Sequence, residues 1–341
     1  MRKIKVFFQR LFKASFKRMF RNIGLVHQEF GKNRVLIFFD MLYSMVVYGT
    51  GYLDYMTFGC AGIKKDKRRT FITMNDNLFL DRTLNDKAYE LEIENKTKFN
   101  KNFSDFLHRE FLDLEQAGEE GFVRFCQGKT VLFAKQLESY GGLGVRKIKL
   151  CEHEDIPALY RELMEHKMTL VEEAIVQHPE LNRLCPSSIN TMRIVTLVND
   201  QKEPCIAYAL LRIGNGTNDV DNVSSGGMYS LIGEDGVLHF PAFCDRVVTY
   251  YEKHPVTGTE ILNFRIPRYE EAIAMVKEAA LRIPQMRYVG WDVAMTPDGP
   301  CLVEGNVLPG YDMPQNHLFH PDGVGYKPLF EKILNTTFDY K

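Results

Sequence analysis

The chain has no CxxC pair. Its seven cysteines, Cys60, Cys126, Cys151, Cys185, Cys205, Cys244 and Cys301, are scattered and odd in number. That spacing argues against a disulfide framework and a structural zinc site, and it suits a reducing, cytoplasmic setting. No run of 18 apolar residues occurs. The nearest candidate, VLIFFDMLYSMVVYG (35–49), is too short to span a bilayer and is interrupted by Asp40, so it reads as a buried core element. The N-terminus lacks the unbroken apolar stretch of a signal peptide. The P-loop pattern GxxxxGK[ST] is absent, and there is no internal repeat or low-complexity tract. A net charge of −1 excludes a molecule that binds polyanions over its whole surface.

What is present is the composition of a globular protein: 341 residues, 45% hydrophobic and 26% charged. This is enough for two or three domains or one composite unit. The charge is unevenly placed. In MRKIKVFFQRLFKASFKRMFRNIG the apolar residues Ile4, Phe7, Phe8, Leu11, Phe12, Phe16, Met19, Phe20 and Ile23 recur at three- and four-residue steps among lysines and arginines, with no acid before Glu29. The pattern predicts a basic amphipathic helix over residues 1–30. Through residues 1–24 such a helix suits an anionic membrane surface; the alternative is packing on the body of the protein with a solvated basic face. No nucleic-acid motif accompanies the charge. Residues 31–90 read as a mixed α/β region with a solvated run KKDKRR (64–69), and 90–114 starts polar and becomes helical. Strands are expected at 130–137, 169–178, 189–198 and 204–214, and helices at 155–167 and 269–283. HxxH at His317 and His320 has no third ligand in view and reads as a loop feature.

Two stretches carry the chemistry. In GWDVAMTPDGPCLVEGNVLPG (290–310), two apolar runs flank a TPDGP turn, which predicts a β-hairpin. Period-two alternation puts Asp292, Ala294, Leu302, Glu304 and Asn306 on one face. With Pro297, Asp298 and Gly299 as the loop, Thr296 pairs with Pro300, Ala294 with Leu302, and Asp292 with Glu304. Opposed carboxylates repel, and a Mg²⁺ ion, which takes carboxylate and amide oxygens, relieves the repulsion. A solvent-exposed edge hairpin is the alternative, and a two-residue turn would break this pairing. The second stretch, VLFAKQLESYGGLGV, ends a strand in Lys135 and continues into Gly141, Gly142 and Gly144, whose backbones can approach phosphate closely. Lys96 lies upstream, VEEAIV (171–176) interrupts an apolar strand with two glutamates, and Arg193 and Arg212 sit inside apolar strands, where each needs a partner or a cleft.

Taken in order, lysine, lysine with glycine loop, acidic strand, arginine strands and the Asp–Glu–Asn hairpin resemble the ATP-grasp superfamily. QHPELNRLCPSSINTMRIVTL together with GWDVAMTPDGPCLVEGN is similar to the sugar-transfer-associated ATP-grasp family, over about residues 90–335. The resemblance implies an α+β ATP-grasp fold, two lobes with antiparallel sheets clasping ATP, preceded by a helical or mixed region. It divides 91–335 into a nucleotide lobe (91–175) and a metal and catalytic lobe (176–335). It implies ATP contacts at Lys96, Lys135, Gly141, Gly142, Gly144, Val145, Glu172, Glu173 and Ile175, with Lys98 a rival to Lys96. It implies catalytic roles for Arg193, Arg212 and Asn222, and Mg²⁺ (or Mn²⁺ in its place) at Asp292, Glu304 and Asn306. The implied activity is an ADP-forming carboxylate–amine, or carboxylate–nucleophile, ligase acting through an acyl phosphate in polysaccharide or sugar-conjugate synthesis. The alternatives are a sugar or polyol kinase on the same fold and a nucleotide-binding scaffold of a glycan-assembly complex. One departure concerns the acceptor side: the D-alanine ligase branch has an arginine two residues before the metal aspartate, where this chain has Gly290.

Overall fold

The computed structural model describes residues 16–137, 144–216 and 226–338. It begins with helices α1 (Phe16–Phe30) and α2 (Arg34–Val47). Gly31, at φ +65°, gives α1 a left-handed exit that costs a glycine little. Asn33 then caps α2 by accepting a bond from Val35 N at 2.8 Å, satisfying a helix-end donor. Helices α3 (Tyr52–Thr57) and α4 (Met74–Leu84) follow. The mixture expected over 31–90 resolves into helices and turns, with one isolated bridge, Asn85↔Met286. The reading of 35–49 as wholly buried holds for one face only: Ile37, Met41 and Met45 are buried while Leu36 and Phe39 are 68% and 62% exposed. KKDKRR also differs from its reading as a solvated run. Arg68 is buried, and it forks onto the Asp40 carboxylate at 2.9 and 2.7 Å and donates to Cys60 O at 2.6 Å. The charge that interrupts α2 is thus the partner of one of the charges in the basic run.

Two antiparallel sheets follow. After α5 (Lys96–Asn102), the smaller sheet is built from β1 (Phe111–Asp113), β2 (Val131–Lys135), β3 (Val145–Lys149) and β4 (Leu170–Glu173), in the order β1-β4-β2-β3. Helices α6 (Leu114–Cys126) and α7 (Ile156–Glu165) cover one face. Alternation sends Leu132 and Ala134 of β2 into that core with Phe122, Ile148 and Leu163, and so turns Val131, Phe133 and Lys135 to the opposite side.

The larger sheet contains β5 (Met192–Val198), β6 (Pro204–Ile213), β7 (Met228–Leu231), β8 (Ala242–Cys244), β9 (Thr249–Tyr251), β10 (Tyr288–Thr296) and β11 (Gly299–Asn306), in the order β11-β10-β5-β6-β7-β8-β9. Helix α8 (Tyr269–Arg282) packs on one face, where Ala272 and Val276 meet the core of Ile194, Leu211, Trp291 and Val293. The opposite face carries Val195, Leu197, Leu210, Tyr229 and Tyr288, covered by the N-terminal helices and by Phe330 of α9 (Lys327–Leu334). Arg193, Arg212 and Asp292 alternate onto this second face. The charged side chains and the helical cap therefore share one side of one sheet.

Trp291 anchors the hairpin from behind. It is 1% exposed, its Nε1 donates to Thr196 Oγ1 at 2.9 Å, and Phe103 meets it edge-on at 5.4 Å. Truncating a buried indole of this kind removes about 3–5 kcal/mol. Trp291→Ala is expected to lower the urea midpoint followed by far-UV circular dichroism by a matching amount; an unchanged midpoint would show that the hairpin does not depend on this anchor.

Candidate active site

The predicted opposition of two acids is present, but it is reached by a different route. The loop has two residues, not three: Thr296 pairs with Gly299, Ala294 with Cys301 and Val293 with Leu302. Taken alone, that shift would move Glu304 out of register with Asp292. A bulge at Asp292/Val293 restores it, and Asp292 pairs with Glu304 as expected. Val303 is the extra residue that the bulge accommodates. The correction inverts two side chains: Leu302 joins Val293 in the core behind the sheet, while Cys301 turns to the other side with Ala294.

Asp292 is 1% exposed, and charge accumulates around it from three adjacent strands. Arg193, directly opposite on β5, bonds Asp292 Oδ1 through Nε and Oδ2 through Nη2, the latter at 3.1 Å. Arg212, on β6, also bonds Oδ2 and is braced by two bonds to Thr191 Oγ1 at 3.0 and 2.6 Å. Gly290 makes the room: a Cβ there would come within 2.8 Å of Pro309 Cβ and 3.2 Å of Arg193 Cδ. Burial alone would raise the Asp292 pKa, yet the two guanidinium groups outweigh it and hold the carboxyl below its ordinary range. Glu304 goes the other way, pushed up first by burial and then by the Asp292 charge. The burial of Asp292 rules out a wet edge for this carboxylate, and the divergence of the two acids is the kind found at functional sites.

The donor set fits a hard divalent cation. Asn306 pairs with Gly290 two residues along the hairpin from the acid pair and its Nδ2 points at Gly290 O at 3.5 Å; its Oδ1 adds a neutral amide oxygen to the two carboxylates, the oxygen types such an ion takes. Among the described residues no cluster of three or more His, Cys, Asp or Glu could hold a metal. Any ion here would therefore need oxygens from water or phosphate as well. His317 and His320 do not form a site: the former pairs with Glu29 at 2.9 Å and the latter bonds Pro314 O at 2.9 Å.

Lysines border the hairpin from the smaller sheet and from α5. Lys135 pairs with Glu172 at 2.7 Å. Lys96 opens α5 and reaches Leu137 O at 3.4 Å; burial lowers its pKa, opposed by Glu304 and Glu172. Lys98 instead points away and pairs with Glu92 at 2.7 Å on the surface. Gly305 lets α5 approach, since a Cβ there would lie 2.7 Å from Ile93 Cγ2 and 3.0 Å from Phe99 Cε2. Val145 pairs with Lys135, and Gly144 precedes it at φ +73°. Glu173 accepts from Glu110 N at 2.8 Å and, with Ile175, borders a cleft of about 670 Å³ that Cys301 closes from the hairpin side. Gly141, Gly142 and Asn222 lie outside the described residues.

Arg109 is the residue that sequence reasoning missed. Its Nε pairs with Glu172 at 2.9 Å, and its Nη1 and Nη2 donate to Leu302 O at 2.6 Å and Val303 O at 3.4 Å. One side chain thus ties the smaller sheet to the larger sheet at the bulge. Asn100 Nδ2 completes the cluster at 2.8 Å from Glu172 Oε1. Burial would raise the Glu172 pKa, but Arg109 and Lys135 hold it down at about 2. The only signal in the sequence was the polar run His108, Arg109 and Glu110 between Leu107 and Phe111, and the partners of Arg109 lie 63 and 193 residues away. His254 is a second such residue. It accepts from Val256 N and Thr257 N through Nδ1 at 3.3 and 3.2 Å, so its Nε2 carries the proton and donates to Gly214 O at 2.9 Å, fixing the exit of β6.

Two antiparallel sheets with lysines beside an acidic hairpin fit the ATP-grasp class. Comparison with protein families identifies which branch: the family described as sugar-transfer associated ATP-grasp matches residues 128–318. The chain belongs to that family and has its ATP-grasp fold. Curated proteins give no match. Among solved structures, the chain is similar to an ADP complex of N5-carboxyaminoimidazole ribonucleotide synthetase (10% identity, 70% of this chain, TM-score 0.40), and it spans 52% of that enzyme's length. It is also similar to the D-alanine–D-alanine ligase of Bacillus anthracis (13% identity, 76% of this chain and 74% of that one, TM-score 0.43). A third is the ATP-grasp ligase PsnB complexed with precursor peptide PsnA2 and AMPPNP (13% identity, 77% and 62%, TM-score 0.38).

Two outcomes follow for the ligand-free protein. Arg109→Ala leaves a buried carboxylate with one cation fewer, a loss on the order of 3–5 kcal/mol, measurable by urea denaturation. Because the Glu172 pKa is depressed, the stability it contributes is present above the ordinary glutamate range and is lost as pH falls toward 2. Glu304 has the opposite sign. Its favourable contribution is complete below the ordinary glutamate range and disappears as pH rises through the raised pKa. Glu304→Gln should therefore raise the melting temperature at alkaline pH and leave it nearly unchanged in acid; a uniform shift at every pH would remove the like-charge account.

Proposed function

We propose that the chain is an ATP- and Mg²⁺-dependent ligase that activates a carboxylate as an acyl phosphate and passes it to an amine, in polysaccharide or sugar-conjugate synthesis. The observation that carries this is the pairing of Asp292 with Glu304, with Arg193 and Arg212 on one side and Lys96 and Lys135 on the other. Family membership supports this class of reaction, and the side chains suggest the division of labour.

In this reading Lys96 and Lys135 hold the ATP phosphates, and Gly141, Gly142, Gly144 and Val145 are assigned to the same contact. The Val131-to-Lys135 span of β2, about 13 Å at the usual rise per residue, runs from the lining of the cleft at Glu173 and Ile175 to Lys135. That suits a nucleotide with its base toward Ile175 and its phosphates toward the hairpin. Glu172 lies behind Lys135 and sets its position. Asp292, Glu304 and Asn306 would hold the divalent ion, which supplies charge neutralisation for the transferring phosphoryl group.

A carboxylate oxygen of the acid substrate attacks the γ-phosphorus and ADP leaves. The amine then adds to the acyl carbon, loses a proton and expels phosphate. Arg193 and Arg212, fixed by Asp292 and Thr191, would stabilise the oxyanion formed in that addition, with Asn222 the third residue assigned a catalytic role. Pre-ordered donors need no reorganisation as charge develops.

Asp292→Asn and Glu304→Gln are expected to leave folded proteins with ATP consumption reduced at least a hundredfold, measured by ADP release over a panel of sugar acids and amines with mass detection. Near-normal consumption in either variant would overturn the metal assignment. Hydroxylamine in place of the amine should yield a hydroxamate. A phosphorylated sugar or polyol with no hydroxamate would replace the ligase reading with a kinase.

A further inference from the structure

We propose that the paired helices α1 and α2 form a docking surface for an anionic lipid bilayer, with the outer face of α2 seated among the headgroups. This inference does not depend on the ligase reading. Helix α2 is apolar nearly all round, and only half of it is used inside the protein. Ile37, Met41, Ser44 and Met45 are buried; Val35, Leu36, Phe39, Tyr43, Val46 and Val47 are each more than two-fifths exposed. At 100° per residue the six exposed positions fall within about a third of the helix circumference. They form a stripe about 20 Å long on the side away from the core.

The stripe continues onto α1. Phe20, 60% exposed, stacks on Phe38 at 6.4 Å and 5°, and Phe38 meets Phe39 edge-on at 5.4 Å. Two helices thus present one aromatic and aliphatic patch. A patch of this kind on a protein surface marks an interaction site.

Charge identifies the partner. Among residues 16–69 eight lysines and arginines are exposed, against two exposed acids, Glu29 and Asp66. Glu29 is further occupied by His317 at 2.9 Å. The basic groups rim the apolar stripe: Arg34 precedes it, Lys65 Nζ lies 4.4 Å over the Tyr43 ring, and the Arg69 guanidinium lies 5.8 Å over the neighbouring Tyr48 ring. An apolar stripe inside a cationic rim is the pattern that lies in the interface plane of an anionic membrane. The same charge disfavours the other occupants. A second copy would bring its own cationic rim, and residues 1–15 of this chain carry Arg2, Lys3, Lys5, Arg10 and Lys13 with no acid. No described helix is long and apolar enough to cross a membrane, which leaves an in-plane arrangement.

The test is flotation of the full chain with vesicles of phosphatidylcholine alone and of phosphatidylcholine with phosphatidylglycerol. Binding is expected to the anionic vesicles only, and to fall as salt rises. Leu36→Asp with Phe39→Asp should lower the partition at least tenfold, and Lys64→Glu with Lys65→Glu should lower it severalfold. All four positions are exposed, so the melting temperature should not change. Anionic-vesicle binding that survives Leu36→Asp/Phe39→Asp but is lost in Phe7→Asp/Phe8→Asp would place the contact in residues 1–15 and overturn the proposal. A dimer in light scattering that dissociates on Leu36→Asp/Phe39→Asp, without vesicle binding by the wild type, would assign the face to a second copy and overturn it equally. Absence of vesicle binding at low salt does so outright.

Discussion

Two carboxylates facing each other across a hairpin are costly unless something positive stands near them, and the active-site region is organised around that cost. Asp292 receives two arginines from the neighbouring strands. Glu304 does not share them equally and is driven toward its neutral form. The asymmetry is useful. A site whose acids were both fully neutralised by protein would gain little from a metal ion; one with a residual repulsion gains the release of that repulsion as part of the binding energy. Natural proteins keep such local conflicts where function requires them and compensate through packing elsewhere. Here the compensation is visible in Trp291, Val293 and Leu302, all buried on the other side of the same strands.

A second ion-paired centre, Glu172 with Arg109, Lys135 and Asn100, holds the two sheets in relation to each other. Arg109 reaches across to the carbonyls at the bulge, so the element that sets the Asp292–Glu304 pairing is the one tethered to the smaller sheet. Lys135 is held by the same carboxylate. A shift of one sheet against the other therefore alters the lysine and the hairpin together, which ties Lys135 to the Asp292–Glu304 pair through a single buried glutamate.

The sequence revealed some of this and not the rest, for identifiable reasons. Strand alternation and a Pro-Asp-Gly turn were enough to place Asp292 opposite Glu304, although two features of the hairpin were unforeseen and cancel. The loop is one residue shorter than the alternation suggests, and a bulge takes up the difference. Bulges depend on backbone geometry that residue types near Val303 do not announce. Arg109 could not be found because its partners are distant in the chain and only the folded arrangement gives it a role. Helix α2 was misjudged for a related reason: apolar residues on every side of a helix signal burial in a single sequence, and only the fold tells which half is covered. The ion pair of Arg68 with Asp40 resolves two oddities, a charge in an apolar helix and a buried member of a basic run, that could not be connected by inspection.

Trp291 has one more consequence. It is the sole indole in the chain, it sits one residue before Asp292, and its side chain projects to the opposite side of the same strand. Its emission spectrum therefore comes from one known place, shielded from water and mechanically joined to the acid pair. The protein carries an intrinsic optical reporter, so any change at the hairpin can be followed in unlabelled material.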